Sequence, residues 1–190
     1  MHLLAHAFCA GQDGMLQAGQ IAGDYVRGRD LSAYPDRLAD GIRQHRALDA
    51  FTDQHASARL SRNRLSGPWR RYAGVLVDLA YGHLLARQWD SLGDSSLSAF
   101  EAAVHRSLAQ HHAVLPLRLQ QTRERLLQYR VLSGIGDADG IAVACERLSH
   151  RLPGLAGGDK VVNREMDGLA GDFTVFWPDL LVRRDALLAD

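Results

Sequence analysis

The sequence predicts an all-α fold: a single-domain bundle of about seven helices spanning residues 1–190. Three observations lead there. Apolar residues recur at spacings of three and four in several long stretches. Strand signals are weak, with no convincing alternating run, no Asn-Gly hairpin turn and few β-branched residues in series. No fixed-period repeat or low-complexity linker divides the chain.

The expected helices follow in order. Residues 15–27 come after a Gly-rich opening and stop at Gly28. Residues 35–54 open on Pro35, a favoured first helical position. Residues 69–89 run from Trp69 to Trp89, and residues 97–112 follow a Ser95-Ser96 cap. Residues 116–133 start at Pro116 and end before Gly134, and residues 138–151 end before Pro153-Gly154. The last helix, 160–188, carries Val162, Met166, Leu169, Phe173, Phe176 and Leu180 as a buried stripe, with Pro178 expected to kink it or begin a new turn.

Composition narrows the function. Hydrophobic residues make up 46% and charged residues 23%, which excludes a disordered or collagen-like chain. Basic and acidic residues number 22 each, so no global positive field favours nucleic acid. No apolar run approaches the roughly 20 residues of a membrane span. The N-terminus lacks the basic start of a signal peptide. Cys9 and Cys145 form no Cys-x-x-Cys pair and read as two buried free thiols of a cytoplasmic protein.

The chemistry concentrates in the second expected helix. Leu38, Ile42, His45, Asp49 and Thr52 are spaced four, three, four and three, so they share one face. The first two turn that face inward, and it then becomes polar, with Asp53 alongside. His45 and Asp49 at i,i+4 can converge on one cation. Taken alone, an internal hydrogen bond or an Arg partner explains the pair slightly better than a metal does. Asp24 lies in the apolar stretch IAGDYVRG, where a local pair with Arg27 is the simple alternative. Asp78 lies in GVLVDLAYGHLL, too apolar for a solvated face, leaving a ligand role or a buried partner. His83 points roughly 140° away from Asp78 on a helix. His6, ahead of the first expected helix, reads by itself as a core histidine. Several helices thus carry an inward acid or His, one way to hold a divalent metal. Cysteine clusters, a nucleotide-binding Gly-rich loop and a Gly-x-Ser-x-Gly elbow are all missing from the sequence. Residues 57–77 contain Arg59, Arg62, Arg64, Arg70 and Arg71 and no acid, which reads either as a solvated basic loop or as a dock for an acidic partner.

The segments LLAHAF, GDYVRG, IRQHRALDAFTDQH, VDLAYGHLLARQW and FTVFWPDL, in this order, resemble the bacterial acyl carrier protein phosphodiesterases over essentially the whole chain. The strongest element is the His-Arg-x-x-Asp-x-x-Thr-Asp run from His45 to Asp53. The resemblance implies an all-helical, distantly HD-type metal phosphohydrolase, with a role in fatty acid and lipid metabolism. It implies release of the 4′-phosphopantetheine arm from holo acyl carrier protein, with a divalent cation, typically Mn2+, although Mg2+, Fe2+ or Co2+ would also serve. By the same resemblance Asp24, His45, Asp49, Asp53 and Asp78 are candidate ligands. His6 and His83 are candidate proton donors to the leaving serine oxygen. Arg46 or Arg27 would offset phosphoryl charge, and the 59–71 arginines would meet the acidic carrier.

Two departures stand out. The chain has no His-Asp dipeptide. It also reads Tyr81-Gly82-His83 where the family usually reads Tyr-Asp-His, and position 82 shares Asp78's helix face. Gly82 keeps open weakened metal binding and a non-catalytic module that binds acyl carriers; a metal phosphohydrolase acting on another phosphodiester is the second alternative.

Overall fold

A computed structural model describes residues 1–189. Among these, eleven α-helices and five short 3₁₀ turns occur, with no strand. In order they are α1 (Leu3–Cys9), α2 (Gly14–Ala22), α3 (Asp36–Gln54), α4 (Ala56–Arg64), α5 (Ala73–Arg87) and α6 (Trp89–Leu92). Then follow α7 (Leu97–Gln110), α8 (Leu117–Gln128), α9 (Gly140–Ser149), α10 (Gly158–Arg164) and α11 (Met166–Ala189). No helix is long and apolar enough to cross a membrane.

The helix class agrees with expectation, but the segmentation is finer, for local reasons. The His2 side chain accepts the Leu4 N–H and so opens α1, placing His6 inside a helix that the sequence reading left out. Asp13 caps α2 by accepting from Leu16, and α2 stops at Ala22 rather than Arg27 because Gly23–Tyr25 tighten into a 3₁₀ turn. Pro35 and Pro116 stand one residue before α3 and α8, at the cap. The basic 59–71 run is not a loop: it is the C-terminal half of α4, entered through the His55 cap, followed by the 3₁₀ turn Gly67–Tyr72. α11 continues through Pro178, which neither ends the helix nor starts another.

One continuous apolar cluster joins the helices, with Leu4, Leu16, Leu38, Ile42, Leu76, Phe173 and Phe176 shielded from solvent. The expected stripe on the last segment is buried at Val162, Leu169, Phe173, Phe176 and Leu180. Cys9 and Cys145 are buried and free.

Two contacts set the geometry around the later site. α2 crosses α3 backbone to backbone at Gly19 and Gly41. A Cβ on Gly41 would lie 2.7 Å from the Gly19 Cα, and one on Gly19 would meet the Leu38 carbonyl. α4 is tied to α11 by Asp172, which accepts from Ser61 Oγ at 2.8 Å and from Arg64 Nε and Nη2 at 2.8 and 3.2 Å. Tyr81 Oη joins Ser61 at 2.8 Å, bringing α5 into the same network.

Gly41→Ala should therefore act as a wedge between two backbones with no flexible side chain to yield. The expected cost is about 3 kcal/mol, at the upper end for overpacking, read as a lower urea midpoint with an unchanged m-value. Arg64→Met leaves Asp172 buried without its cation and should lower the urea midpoint in the same assay.

Candidate metal centre

Gly19 lets α2 lie against α3, and the next residue, Gln20, is thereby pressed onto His45. The Gln20 carbonyl accepts from His45 Nδ1 at 2.7 Å, while its side-chain Oε1 accepts from His6 Nδ1 at 3.1 Å. One glutamine thus fixes both imidazoles. With Nδ1 carrying the proton, each neutral ring keeps its lone pair on Nε2. Gly23 completes the nest: a Cβ there would run into the His45 ring.

Both Nε2 atoms face Asp49. His6 Nε2 lies 3.1 Å from Oδ1 and His45 Nε2 lies 3.1 Å from Oδ2, with the two rings stacked 3.8 Å apart. Asp24 is 3.5 Å from the same His45 nitrogen. His6, His45 and Asp49 each offer a donor atom, and all three lie within 4.8 Å of one another. Two lone pairs aimed at a carboxylate require a positive charge between them, either a proton or a metal ion. Nitrogen–nitrogen–oxygen donor sets of this kind suit first-row divalent ions. Acceptors on the far ring nitrogens are the usual support of such ligands. The residues therefore fit a divalent cation.

The charge balance points the same way. Burial opposes a charged His45, yet Asp24 and Asp49 outweigh it and raise its pKa to about 9. Burial wins at His6 and lowers it to about 4. At Asp49 burial works upward, but hydrogen bonds from His45 and His6, then the Met1 ammonium, hold it well below the usual carboxylate range. That ammonium sits 3.0 Å from Asp49 and 3.2 Å from Asp78, joining α3 to α5. Burial pushes Asp78 upward despite this cation.

A cavity of about 940 Å3 opens beside this cluster. Met1, His2, Asp24, Asp49, Asp53 and Asp78 line one part of it, and residues of α8 and α9 another. His6 and His45 are buried behind Asp49 and do not line it.

The fold brings His6, His45, Asp49 and Asp24 together and places Asp78 within reach of the same ammonium. Asp53 lines the cavity but is exposed, 3.5 Å from Arg62. Among the described residues Asp24 makes no ion pair with Arg27; its partner is His45. His83 donates from Nδ1 to the Ile135 carbonyl at 2.8 Å and does not line the cavity. Arg46 donates to the Val26 carbonyl at 3.1 Å, holding the segment after the 3₁₀ turn.

Of the basic run, Arg64 is bound to Asp172 and Arg62 donates to the Asp53 carbonyl at 2.7 Å. Arg70 donates to the Arg62 carbonyl at 2.9 Å, and Arg71 lies 5.7 Å from the centre of the Tyr72 ring. Arg59 is exposed on α4. Gly82 packs against His2, and a Cβ there would lie 2.5 Å from the His2 ring. The space a larger residue 82 would need is therefore filled from the N-terminal segment.

Gln20, Gly23 and His2 escaped the sequence reading. Gln20 carried a usable signal: a polar residue in the apolar α2 stretch, open to the same argument that singled out Asp78.

The charge state of the metal-free cluster sets a pH dependence. An unfolded His titrates near 6.5. His45 is raised to about 9 in the fold. It therefore contributes stability that is complete below about pH 6.5 and is lost as pH rises through 9. Asp49 is depressed, so its contribution holds above its unfolded value of about 3.9 and is lost on acidification through its lower folded value. In chelator, the Tm difference between wild type and His45→Gln should be largest between about pH 4 and 6.5 and fade toward pH 9. A difference that stays flat from pH 6.5 to 9 would contradict a charged His45.

The family model described as acyl carrier protein phosphodiesterase matches residues 1–180. A protein of Yersinia pestis with that name is 28% identical over 185 residues, covering 95% of this chain and 96% of the relative. One from Pectobacterium atrosepticum is 31% identical over 157 residues, covering 82% and 81%. One from Serratia proteamaculans is 30% identical over 188 residues, covering 95% and 96%. No solved structure matches. A match that takes in α1 through most of α11, and so every side chain of the His–Asp cluster, means that the chain belongs to the acyl carrier protein phosphodiesterase family.

Proposed function

We propose that this protein hydrolyses the phosphodiester joining the 4′-phosphopantetheine arm to holo acyl carrier protein, leaving the apo form. The observation that carries the reading is the convergence of His6, His45 and Asp49 beside a large cavity, in a chain of this family. The cavity, about 940 Å3, is at the upper end of the usual small-ligand range of about 300–1,000 Å3. It has room for an extended arm.

His6, His45 and Asp49 would hold a divalent cation, with Asp24 and Asp78 adding negative charge nearby. When bound, such an ion supplies Lewis-acid stabilisation of the phosphoryl oxygens and lowers the pKa of a water. Mn2+ is the first choice, and Mg2+, Fe2+ or Co2+ are alternatives. The distant kinship with HD-type metal phosphohydrolases is part of the same proposal, with the His45–Asp49 pair standing where the chain lacks an adjacent His-Asp pair.

The rest is work for the chain's own groups. Gln20 keeps both ligand imidazoles in the Nδ1–H tautomer, so that their lone pairs face Asp49. His2 lines the cavity and accepts the Leu4 N–H on Nδ1, and burial lowers its pKa to about 3. It is therefore a neutral ring with its proton on Nε2, suited to donate to a phosphoryl oxygen. Arg62 brings a cation to the same wall beside Asp53. His6, fully buried and held by Gln20 and Asp49, fits the ligand role better than that of proton donor to the leaving oxygen.

Intact-protein mass spectrometry of holo acyl carrier protein incubated with the enzyme and Mn2+ tests this directly. The expected result is loss of the whole phosphopantetheine arm, blocked by chelator. An unchanged holo mass from folded protein offered several divalent metals would overturn it. Turnover of a broad set of small phosphodiesters would redirect the substrate assignment. His45→Ala and Asp49→Ala should each lower kcat/KM by about a thousandfold, roughly 4 kcal/mol of transition-state stabilisation, with helical circular dichroism intact. Gln20→Leu should keep the fold and weaken Mn2+ binding by about 10–100-fold, measured by calorimetry.

A further inference from the structure

The cavity has a second wall to which the metal cluster assigns no role. On α8 and at its C-terminal cap, Arg118, Thr122, Arg125 and Tyr129 are spaced four, three and four, so they share one face, and that face lines the cavity. Val143, Arg147 and Arg151, each four apart on α9 and just past its end, line it from the other side. Among the described residues no carboxylate lies within ion-pair distance of Arg118, Arg125, Arg147 or Arg151. Arg147 is instead oriented by Tyr129, whose carbonyl accepts from it at 3.0 Å and whose ring centre is 4.4 Å away. The stretch 117–130 holds four arginines and a single acid, Glu124.

Apolar side chains accompany these cations: Leu126, Val143 and Leu148, all half-buried, line the same wall. Unneutralised guanidinium groups interleaved with half-buried apolar side chains around one cavity have the composition of a binding surface rather than of a solvated helix. The 59–71 run differs: Arg62 and Arg64 already face the carboxylates of Asp53 and Asp172.

We propose that the α8–α9 face is the docking surface for an acidic face of the protein that carries the phosphodiester. Docking there would present the attached arm to the cavity shared with Asp49. The inference rests on the function proposed above. Its physical reason is the division of charge around one cavity. Asp24, Asp49, Asp53 and Asp78 gather on one part, where they face Met1, His45 and Arg62, whereas the other part carries Arg118, Arg125, Arg147 and Arg151 against Asp139 and an Asp137 that Arg130 already binds. The chain has zero formal net charge and so no global field to steer a partner, and local complementarity must do so.

The test compares wild type with Arg118→Glu/Arg125→Glu and with Arg151→Glu, in turnover of holo acyl carrier protein and in anisotropy titration with labelled apo carrier. The expected result at low ionic strength is a KM and a Kd at least tenfold higher in both variants, with kcat within about twofold of wild type. The gap should close as salt screens the charges. Unchanged KM and Kd would overturn the proposal, as would a loss confined to Arg59→Glu/Arg71→Glu. A fall in kcat with no change in carrier Kd would also overturn it, by placing the arginines on the phosphate instead. Because the apo carrier needs no arm release, binding without turnover would count against the hydrolase reading while upholding the docking surface.

Discussion

The backbone contact between α2 and α3 at Gly19 and Gly41 is the constraint on which the rest of the site depends. Two helices can touch this closely only where neither carries a Cβ. Gln20 is the residue immediately beyond that contact, so its carbonyl reaches the His45 ring and its side chain reaches His6. The orientation of both imidazoles is thus a consequence of helix packing. Gly23, under the same ring, extends the requirement for small residues by one more turn.

Asp49 is the electrostatic counterpart of that crossing. It receives two ring nitrogens and the Met1 ammonium, while Asp24 and Asp78 stand close by. Such a concentration of carboxylates and buried imidazoles is unfavourable without positive charge. The cluster therefore has the donor set to hold a cation, and its protonation state in the absence of one follows from competition between burial and carboxylates. The same residue borders the cavity, so the group that gathers charge is also the one that faces incoming substrate. The remaining network, Asp172 with Arg64, Ser61 and Tyr81, keeps α4, α5 and α11 together and leaves fewer of the 59–71 arginines free.

Much of this was legible from residue order. Helical periodicity identified the α class, the buried stripe of α11 and the inward polar face of α3. Spacing alone put His45 and Asp49 on one side, and the apolar surroundings of Asp78 marked it as an acid needing a partner. The boundaries were less legible because caps and 3₁₀ turns are local: His2 begins α1, and Gly23–Tyr25 ends α2 early. Charge density left 59–71 undecided, since an arginine run looks the same whether its guanidinium groups meet solvent or a distant Asp172. The arginines lining the cavity were overlooked because Arg118, Arg125, Arg147 and Arg151 sit on two helices and never form a run.

Sequence by itself determined the helical architecture, the family, and the residue types able to bind a cation, because periodicity and i,i+4 geometry are properties of a single helix. Only the tertiary structure decided which of those residues meet. His6 and His45 are 39 positions apart, yet their rings stack, since α1, α2 and α3 converge on Gln20. His83 carries the same chemistry and sits in an equally recognisable motif, yet it turns to a backbone carbonyl. Nothing local distinguishes these histidines. Helix crossings do, because they determine which side chains share a few ångströms and which are carried away from one another.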